Sequence, residues 1–325
     1  MHKQKCLVCY RKYDLLHPDL FDDRYSSQGK YDILVCINCG FGRTIPTLDK
    51  KKISKFYSKF YPLSNTFPED VQKAANIKPF WHDWLMGNDY IAHRHIKKGS
   101  KVLDVGSGNG VSLLEIAKLE GKPYGVEPDP HAHVIAKKLY LNVQKGFITD
   151  NPFPQIKFDF ITATQVLEHE PDPELFLQAA YKKLSPKGQV ILSFPNINSL
   201  YRKIFGRYWL HWHVPYHINF FSKNSFSILA GRCNFKITVV KTVTNNLWTL
   251  LQLSMLVIKP IEGKTSPIWA TQHLEKKEKQ ALNFKLRKYT FEGVKLLSFP
   301  FIALFNRIID IFGQGDCIYV VLEKR

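Results

Sequence analysis

The sequence has few acidic residues and no apolar run long enough to cross a bilayer. Its 325 residues include 28 Asp and Glu against 46 Lys and Arg, a formal charge of +18. No apolar run or small-residue cleavage site follows Met1, so we expect no secretory signal and a cytoplasmic protein. An apolar content of 45% and a charged content of 23% exclude a disordered or fibrous chain and predict a globular one of enzyme size.

The excess of positive charge leaves two interpretations of the partners. A charge of +18 favours attraction to nucleic acid, anionic lipid or a phosphorylated substrate. A basic soluble enzyme without a polyanionic partner would have the same composition. Charge alone does not choose between these interpretations.

Four of the six cysteines form two C-x2-C pairs near the N-terminus. Cys6 and Cys9 are separated by 26 residues from Cys36 and Cys39. In a reducing compartment such pairs are better metal ligands than disulfide partners, and four thiolates close a tetrahedral structural zinc site. We predict a zinc knuckle over residues 1–45, with four buried thiols and no metal as the alternative.

The other features of the cysteines fit the same interpretation. Gly40 follows the second pair and supplies the permissive backbone that lets amides point towards sulfur. Cys233 and Cys317 lie in apolar or strand-like surroundings, and we predict that both are core residues.

From Lys101 onward, short apolar runs alternate with stretches of helical periodicity. This β-α-β-α order predicts an α/β fold with a Rossmann-like, doubly wound and mostly parallel sheet. The predicted strands are Val102–Val105, Tyr124–Val126, Phe158–Thr162, Gln189–Phe194, Phe235–Thr242 and Cys317–Leu322.

The chain thus divides into the zinc knuckle, a helical linker over 46–98 and the α/β domain over 99–325. Aromatic residues at helical spacing mark two predicted helices in and near the linker, Ile45–Tyr61 and Asp70–His95.

The segment 244–313 separates the last two predicted strands. It is longer than an ordinary loop, so we predict an inserted helical element. Its two apolar runs, Leu247–Ile258 and Val294–Phe312, are too short or too interrupted to span a bilayer. They would either form a cap over the active site or make peripheral contact with the inner, anionic membrane face, next to the basic residues between them.

A glycine-rich loop, Asp104–Gly110, follows the first strand of the α/β domain and opens a helix. Its glycines allow a tight turn and let a ligand lie against the backbone. Glu127 ends the second strand, where a carboxylate can accept hydrogen bonds from both hydroxyls of a ribose. A nicotinamide-binding loop would have the spacing G-x-G-x-x-G, whereas this loop has G-x-G-x-G after an aspartate.

This spacing resembles that of class I S-adenosylmethionine-dependent methyltransferases. The resemblance implies a seven-stranded sheet and an S-adenosylmethionine cofactor, with Gly106 and Gly108 beside the amino-acid part of the cofactor. It also implies that Glu127 holds the ribose and that Asp104 organises the loop, and Ser107 completes the predicted set.

The resemblance extends to Phe158–Pro173 and Leu184–Asn196, and so covers roughly residues 100–240. The N-terminal part looks like methyltransferases with an N-terminal zinc-binding segment, several of which act on sugars or natural products. These motifs specify the fold and the cofactor much more closely than the substrate.

The residues after the predicted strand Phe158–Thr162 are candidates for the chemistry. We expect Gln165 to face the methionine end of the cofactor, and Glu168 and His169 to lie on the ledge where acceptors bind. His169 is the first candidate for the general base, and the alternative is that both residues only orient this ledge. Some ubiquinone-pathway O-methyltransferases hold a divalent ion with Glu-x-x-Glu-His, but Gln165 replaces the first acid here, so we expect no catalytic magnesium.

A second group of histidines follows the predicted strand Gln189–Phe194. His211, His213 and His217 lie among aromatic residues and suit an acceptor pocket, with His217 as the second candidate base. Their irregular spacing argues against a metal site.

Three hypotheses of function remain. The first is methyl transfer to a small molecule, a sugar or a lipid-linked saccharide. The second is a nucleic-acid (RNA) methyltransferase, favoured by the charge and the zinc knuckle but lacking the Asn/Asp-Pro-Pro-aromatic motif of base amino-methylating enzymes. The third is a non-catalytic cofactor-binding interaction module.

Overall fold

The computed structural model describes residues 5–48, 56, 67–88, 94–270 and 298–325. Within these ranges the strands form two sheets. The seven-stranded sheet has the order β10-β11-β8-β7-β4-β5-β6. Its strands are β4 (Lys101–Val105), β5 (Lys122–Glu127), β6 (Val143–Lys145), β7 (Phe158–Thr164), β8 (Leu184–Pro195), β10 (Phe235–Val243) and β11 (Cys317–Lys324).

The central strands are parallel, and β11 runs antiparallel to both of its neighbours. β4 lies in the middle of the sheet and is buried from Val102 to Val105, as a strand covered on both faces must be. Because the carboxyl ends of β4, β5, β7 and β8 meet at one edge, the loops that follow them lie together there. The Rossmann-like, seven-stranded prediction is confirmed.

Helices flank this sheet, and two described helices lie in the predicted linker. Two features define several of their ends: Pro at the first turn, and an Asp or Ser side chain that caps the first amides. The helices are α1 (Pro68–Ala74), α2 (Phe80–Met86), α3 (Val111–Lys118), α4 (Pro130–Lys138), α5 (Pro173–Lys183), α6 (Leu200–Phe205), α7 (Lys223–Arg232), α8 (Asn246–Val257), α9 (Pro267–Ala270) and α10 (298–311).

The second sheet has the order β1-β2-β3-β9 and is antiparallel. It combines β1 (Tyr13–Leu20), β2 (Tyr31–Cys36) and β3 (Gly42–Ile45) with β9 (Asn219–Phe220), a strand supplied by the α/β domain. The side chain of Arg43 donates to Asn219 Oδ1 at 2.7 Å. The N-terminal segment is therefore joined to the α/β domain by a shared sheet.

Most of the predicted elements are present, and the errors have local causes. The predicted pairing of the last two strands is confirmed, since β10 and β11 are neighbours. β6 and β9 were missed because strands of two or three residues leave no periodicity to detect. The single helix predicted over Asp70–His95 is wrong: Pro79 precedes α2, and Gly87 ends it in the left-handed region.

Several predictions concern residues that lie partly outside the described ranges. Most of the helix predicted over Ile45–Tyr61 falls there, and the part that is described includes the end of β3. The boundaries at residues 45 and 98, between the zinc knuckle, the linker and the α/β domain, stay predictions. The inserted segment is helical in its described parts, as predicted, and contains α8, α9 and α10.

Among the described residues, no helix combines the length and the apolar character needed to cross a membrane.

Candidate functional site

The four N-terminal thiols lie together, as the spacing predicted. Their sulfur atoms are all within 4.8 Å of one another, with Cys6 to Cys39 at 3.6 Å and Cys9 to Cys36 at 3.3 Å. Four sulfurs around a zinc ion at 2.3 Å would be separated by about 3.8 Å, so the arrangement fits a tetrahedral zinc site. Gly40 has a φ of 75°, a left-handed conformation that uses the permissive backbone predicted after the second pair.

Both turns of this four-cysteine cluster are attached to α7. The hydroxyl of Ser222, the residue that caps α7, donates to the carbonyl of Cys39 at 2.9 Å. Arg232, at the other end of α7, donates to the carbonyl of Val8 at 2.8 Å. The cluster therefore rests on the α/β domain at two points.

The glycine-rich loop leaves β4 with three left-handed residues, Gly106, Gly108 and Gly110. A Cβ atom on Gly106 would lie 2.6 Å from Val166 Cγ2, and one on Gly110 would lie 2.4 Å from Leu141 Cδ1. A Cβ atom on Gly108 would meet nothing within 4 Å. The loop thus packs tightly at its ends and leaves open space beside Gly108, where a ligand can lie against the backbone.

Two buried carboxylates support this loop. Asp104 accepts from Thr162 Oγ1 at 2.7 Å and from the hydroxyl of Ser112, which joins β4, β7 and α3. Glu127 accepts from the amide of Gly108 at 2.9 Å and from that of Asp129 at 2.8 Å. Burial raises the pKa of Asp104, and it raises the pKa of Glu127 to about 7.

Two further polar atoms at this edge of the sheet are buried. Ser107 Oγ and Asp129 Oδ2 make no hydrogen bond within the described part of the chain. Buried polar groups are normally paired, so these two atoms, with the open space beside Gly108, fit a polar ligand. Each Glu127 oxygen accepts one amide and retains a further lone pair, as a carboxylate that binds two ribose hydroxyls requires.

The residues after β7 form a ledge next to the glycine-rich loop. Gln165 has a φ of 55°, and its amide group donates to Cys317 Sγ at 3.4 Å. Val166 packs against Gly106, and a single turn of 3₁₀ helix, Leu167–His169, follows. Cys317 is half-buried at this ledge, so the prediction that it is only a core residue missed its contact with Gln165.

His169 and His217 come together although they belong to different segments. Their ring centroids are 4.7 Å apart, and His217 Nε2 lies 4.0 Å from a carboxylate oxygen of Glu168. His169 Nδ1 lies 2.9 Å from the carbonyl of Tyr216, and His217 Nδ1 lies 2.7 Å from that of His211. A carbonyl only accepts, so Nδ1 carries the proton and Nε2 the lone pair in each neutral ring.

Burial keeps these imidazoles neutral. It lowers the pKa of His169 to about 4 and that of His211 to about 3, and it lowers the pKa of His213 and His217 as well. Glu168, His169 and His217 each offer a ligand atom within 4.8 Å of the others, a spacing that could also hold a metal ion. The sequence spacing alone did not indicate this arrangement, since His217 reaches the pair through the fold.

Arg24 is a buried residue near this histidine cluster that sequence reasoning missed. Its guanidinium donates to the carbonyl of Leu210 at 2.6 Å and lies 4.5 Å from the ring centroid of Trp269. It is buried, and its charge also contributes to the lowered pKa of His169 and His213. Nothing in the local sequence distinguishes Arg24 from the many other basic residues, because its position depends on the N-terminal sheet.

Comparisons with known proteins agree with this geometry. A family model for a methyltransferase domain matches residues 81–240. Residues 81–240, just under half of the chain, are therefore similar to methyltransferase domains.

Curated relatives match part of the chain. The chain is 30% identical over 162 residues to a ubiquinone biosynthesis O-methyltransferase of Erwinia tasmaniensis, covering 47% of this chain and 63% of that protein. It is 31% identical over 148 residues to the mitochondrial ubiquinone biosynthesis O-methyltransferase of Schizosaccharomyces pombe, covering 38% and 54%. The chain therefore spans less than two thirds of the length of these relatives.

A solved structure shares the fold of the methyltransferase domain. The cyclopropane synthase MmaA2 of Mycobacterium tuberculosis superposes with a TM-score of 0.51 at 14% identity, covering 86% of this chain and all of that one. At this identity the likeness shows the fold alone.

The tight packing of Gly106 gives a first testable prediction. We expect Gly106→Ala to lower the free energy of unfolding by about 2–4 kcal/mol, because the new methyl group meets Val166 and the backbone is left-handed. Urea denaturation measures the change.

Gly263→Ala is the matched control, since Gly263 has a φ of 74° and nothing within 4 Å of its Cβ position. It should lower the free energy of unfolding only by the cost of a left-handed backbone at alanine, about 1 kcal/mol. Equal costs for the two variants would contradict the close approach of the loop to Val166.

Proposed function

We propose that the protein transfers a methyl group from S-adenosylmethionine to an oxygen of a small molecule or saccharide. The observation that carries this proposal is the open space beside Gly108, bordered by Glu127 and adjacent to the ledge with His169 and His217. The named activity of the matched relatives, O-methylation, favours oxygen as the acceptor atom.

In this proposal the cofactor lies across the carboxyl ends of β4, β5 and β7. Gly106, Ser107 and Gly108 line its amino-acid part, and Gln165 faces its methionine end. Glu127 accepts hydrogen bonds from the ribose hydroxyls, while Asp104 holds the loop through Thr162. This placement uses the buried Ser107 hydroxyl and the remaining lone pairs of Glu127.

The cofactor, when bound, supplies an electrophilic methyl carbon on a sulfonium. The remaining work of the chain is to position the acceptor and to take its proton. We assign that proton to Nε2 of His169, because the Tyr216 carbonyl fixes Nδ1 as the protonated nitrogen. His169 is less buried than His217, so it is the histidine that an acceptor reaches, and His217 packs against it.

We also propose that the four-cysteine cluster holds one structural zinc ion. The set of four thiol donors and their separations support it, and four protein ligands leave no open position for substrate.

The cofactor site is tested by titration calorimetry with S-adenosylmethionine. We expect Glu127→Ala to weaken binding by at least about ten-fold, since two ribose hydrogen bonds are lost. The wild-type affinity should fall as the pH drops below about 7, because the pKa of Glu127 is about 7 and the ligand prefers the carboxylate.

Glu127→Gln should remove most of this pH dependence. Glu120→Gln, at a side chain that is 62% exposed, is the control and should leave affinity unchanged. Absence of cofactor binding by the intact protein would overturn the methyl-transfer proposal, and binding without turnover on any acceptor would favour an interaction module.

The proton acceptor is tested with isotopically labelled cofactor and a panel of hydroxyl-bearing small molecules and saccharides. With an acceptor in hand, we expect His169→Gln to lower kcat by about 10²–10⁴-fold while the cofactor Kd stays constant. His131→Gln, at an exposed position on α4, should have no effect.

Treatment with a chelator distinguishes a role of His169 as the base from a metal ion held by the same cluster of side chains. If His169 is the base, turnover continues after every metal ion other than the structural zinc has been removed. Loss of turnover that returns when a divalent ion is added, without a change in zinc content, would contradict His169 as the base.

The zinc proposal predicts about one zinc per chain by elemental analysis. Cys39→Ser should lose the zinc and lower the melting temperature, because the cluster links two turns that rest on α7. Cys233→Ser, at a buried thiol far from the cluster in sequence, should keep the zinc. A full complement of zinc in Cys39→Ser would show that the four thiols do not hold it.

A further inference from the structure

Helix α10 has its polar side chains inside and its apolar side chains outside. Asn306 and Arg307 are buried, with 0% and 5% of their surface exposed. The outward positions recur at helical spacing and are all apolar, with exposed fractions of 42–78%. They are Phe301, Leu304, Phe305, Ile308 and Ile311, and Phe312 directly follows the helix.

Helix α8 is built in the same inverted way. Its buried positions include Asn246, Thr249 and Gln252, whereas Leu253, Leu256 and Val257 are 40–85% exposed. A surface helix of a water-soluble protein normally shows the opposite arrangement.

A network of polar contacts keeps the two helices in this orientation. Asn306 Nδ2 donates to Asn246 Oδ1 at 2.9 Å and to Thr249 Oγ1 at 3.0 Å, and Asn306 Oδ1 accepts from the hydroxyl of Tyr201 at 2.7 Å. Gln252 Nε2 donates to the carbonyl of Tyr208 at 2.6 Å. Turning either helix outward would break these buried hydrogen bonds, so the apolar side chains are fixed on the outside.

The exposed apolar surface continues onto α2. Asn246 Nδ2 donates to the carbonyl of Leu85 at 2.8 Å, and Arg307 donates to the carbonyl of Trp84. These bonds place α2 beside α8 and α10, with Phe80, Trp81 and Trp84 at 50–64% exposure. We call the outward side chains of α2, α8 and α10 the apolar face.

The charge of the chain indicates what would cover this apolar face. Lys259 and Lys264 follow α8 and are exposed, and the segment 271–297, which joins α9 to α10 in sequence, contains seven Lys and Arg against three Glu. Two copies of a chain with a charge of +18 repel each other, whereas an anionic lipid surface attracts it. Tryptophan side chains also favour the interface between lipid and water.

We propose that the apolar face binds the surface of an anionic membrane. The described part of α10, residues 298–311, has a length of about 21 Å, and no helix among the described residues is long and apolar enough to cross a membrane, so we place the apolar face in the plane of the interface. The apolar side chains enter the boundary between headgroups and acyl chains, while Lys259 and Lys264 contact lipid phosphates. This binding does not depend on methyl transfer.

The test is co-sedimentation of the full, zinc-containing chain with vesicles. Vesicles of phosphatidylcholine with about a third phosphatidylglycerol should bind the protein, and vesicles of phosphatidylcholine alone should bind it much less. Added salt should weaken the binding. The double variant Phe301→Ser/Ile311→Ser, at positions 76% and 78% exposed, should bind at least about ten-fold more weakly.

The matched control is Val134→Ser/Tyr140→Ser, which removes two exposed apolar side chains near the opposite edge of the sheet, 55% and 98% exposed. It should bind vesicles like the wild type. Both variants should melt and bind S-adenosylmethionine like the wild type, which separates loss of lipid binding from unfolding and from failure of the cofactor site. Equal vesicle binding by the two variants, no binding by the wild type, or a lipid-free dimer that Phe301→Ser/Ile311→Ser converts to monomer would overturn the proposal.

Discussion

The arrangement of the ledge that carries His169 depends on the joint between the N-terminal sheet and the α/β domain. Asn219, in β9, donates to the carbonyl of Glu170 at 2.6 Å, and its side-chain oxygen accepts from Arg43 of β3. The amide of Ile218 donates to the carbonyl of Glu168 at 2.8 Å, and Thr44 donates to the carbonyl of His217 at 2.7 Å. One short strand pairing thus fixes the backbone on both sides of the two histidines.

This joint explains why a four-cysteine cluster accompanies the methyltransferase domain. The cluster fixes the end of β2 and the turn before β3. β3 in turn pairs with β9. Arg24 enters the histidine pocket from the loop between β1 and β2 of the same sheet. A structural zinc would therefore act on the acceptor side through rigidity, with no contact to the reacting atoms. The proposed cofactor side, in contrast, is built from the β4 loop, Glu127 and the carboxyl half of β7, with no contribution from the N-terminal residues that the structure describes.

This difference also separates what the sequence could predict from what it could not. The glycines of the β4 loop and Glu127 have roles set by their own backbone and by adjacent strands, so their pattern is visible in one segment. The cluster of Glu168, His169 and His217 depends on β9, which is two residues long and has no period of its own. Both histidines were identified from the sequence as candidate bases, but their contact was not predicted. The inverted helices α8 and α10 appeared only as apolar runs, because which side faces outward is decided by the buried amide of Asn306.

The central claim is that S-adenosylmethionine lies against Gly108 with its ribose on Glu127 and its methionine end towards the histidine ledge. A crystal structure of the zinc-containing protein with S-adenosylhomocysteine tests it most directly. The account predicts both ribose hydroxyls at about 2.7 Å from the Glu127 oxygens and the cofactor sulfur facing Gln165 and the ledge. A cofactor bound elsewhere, or a ribose without contact to Glu127, would contradict it.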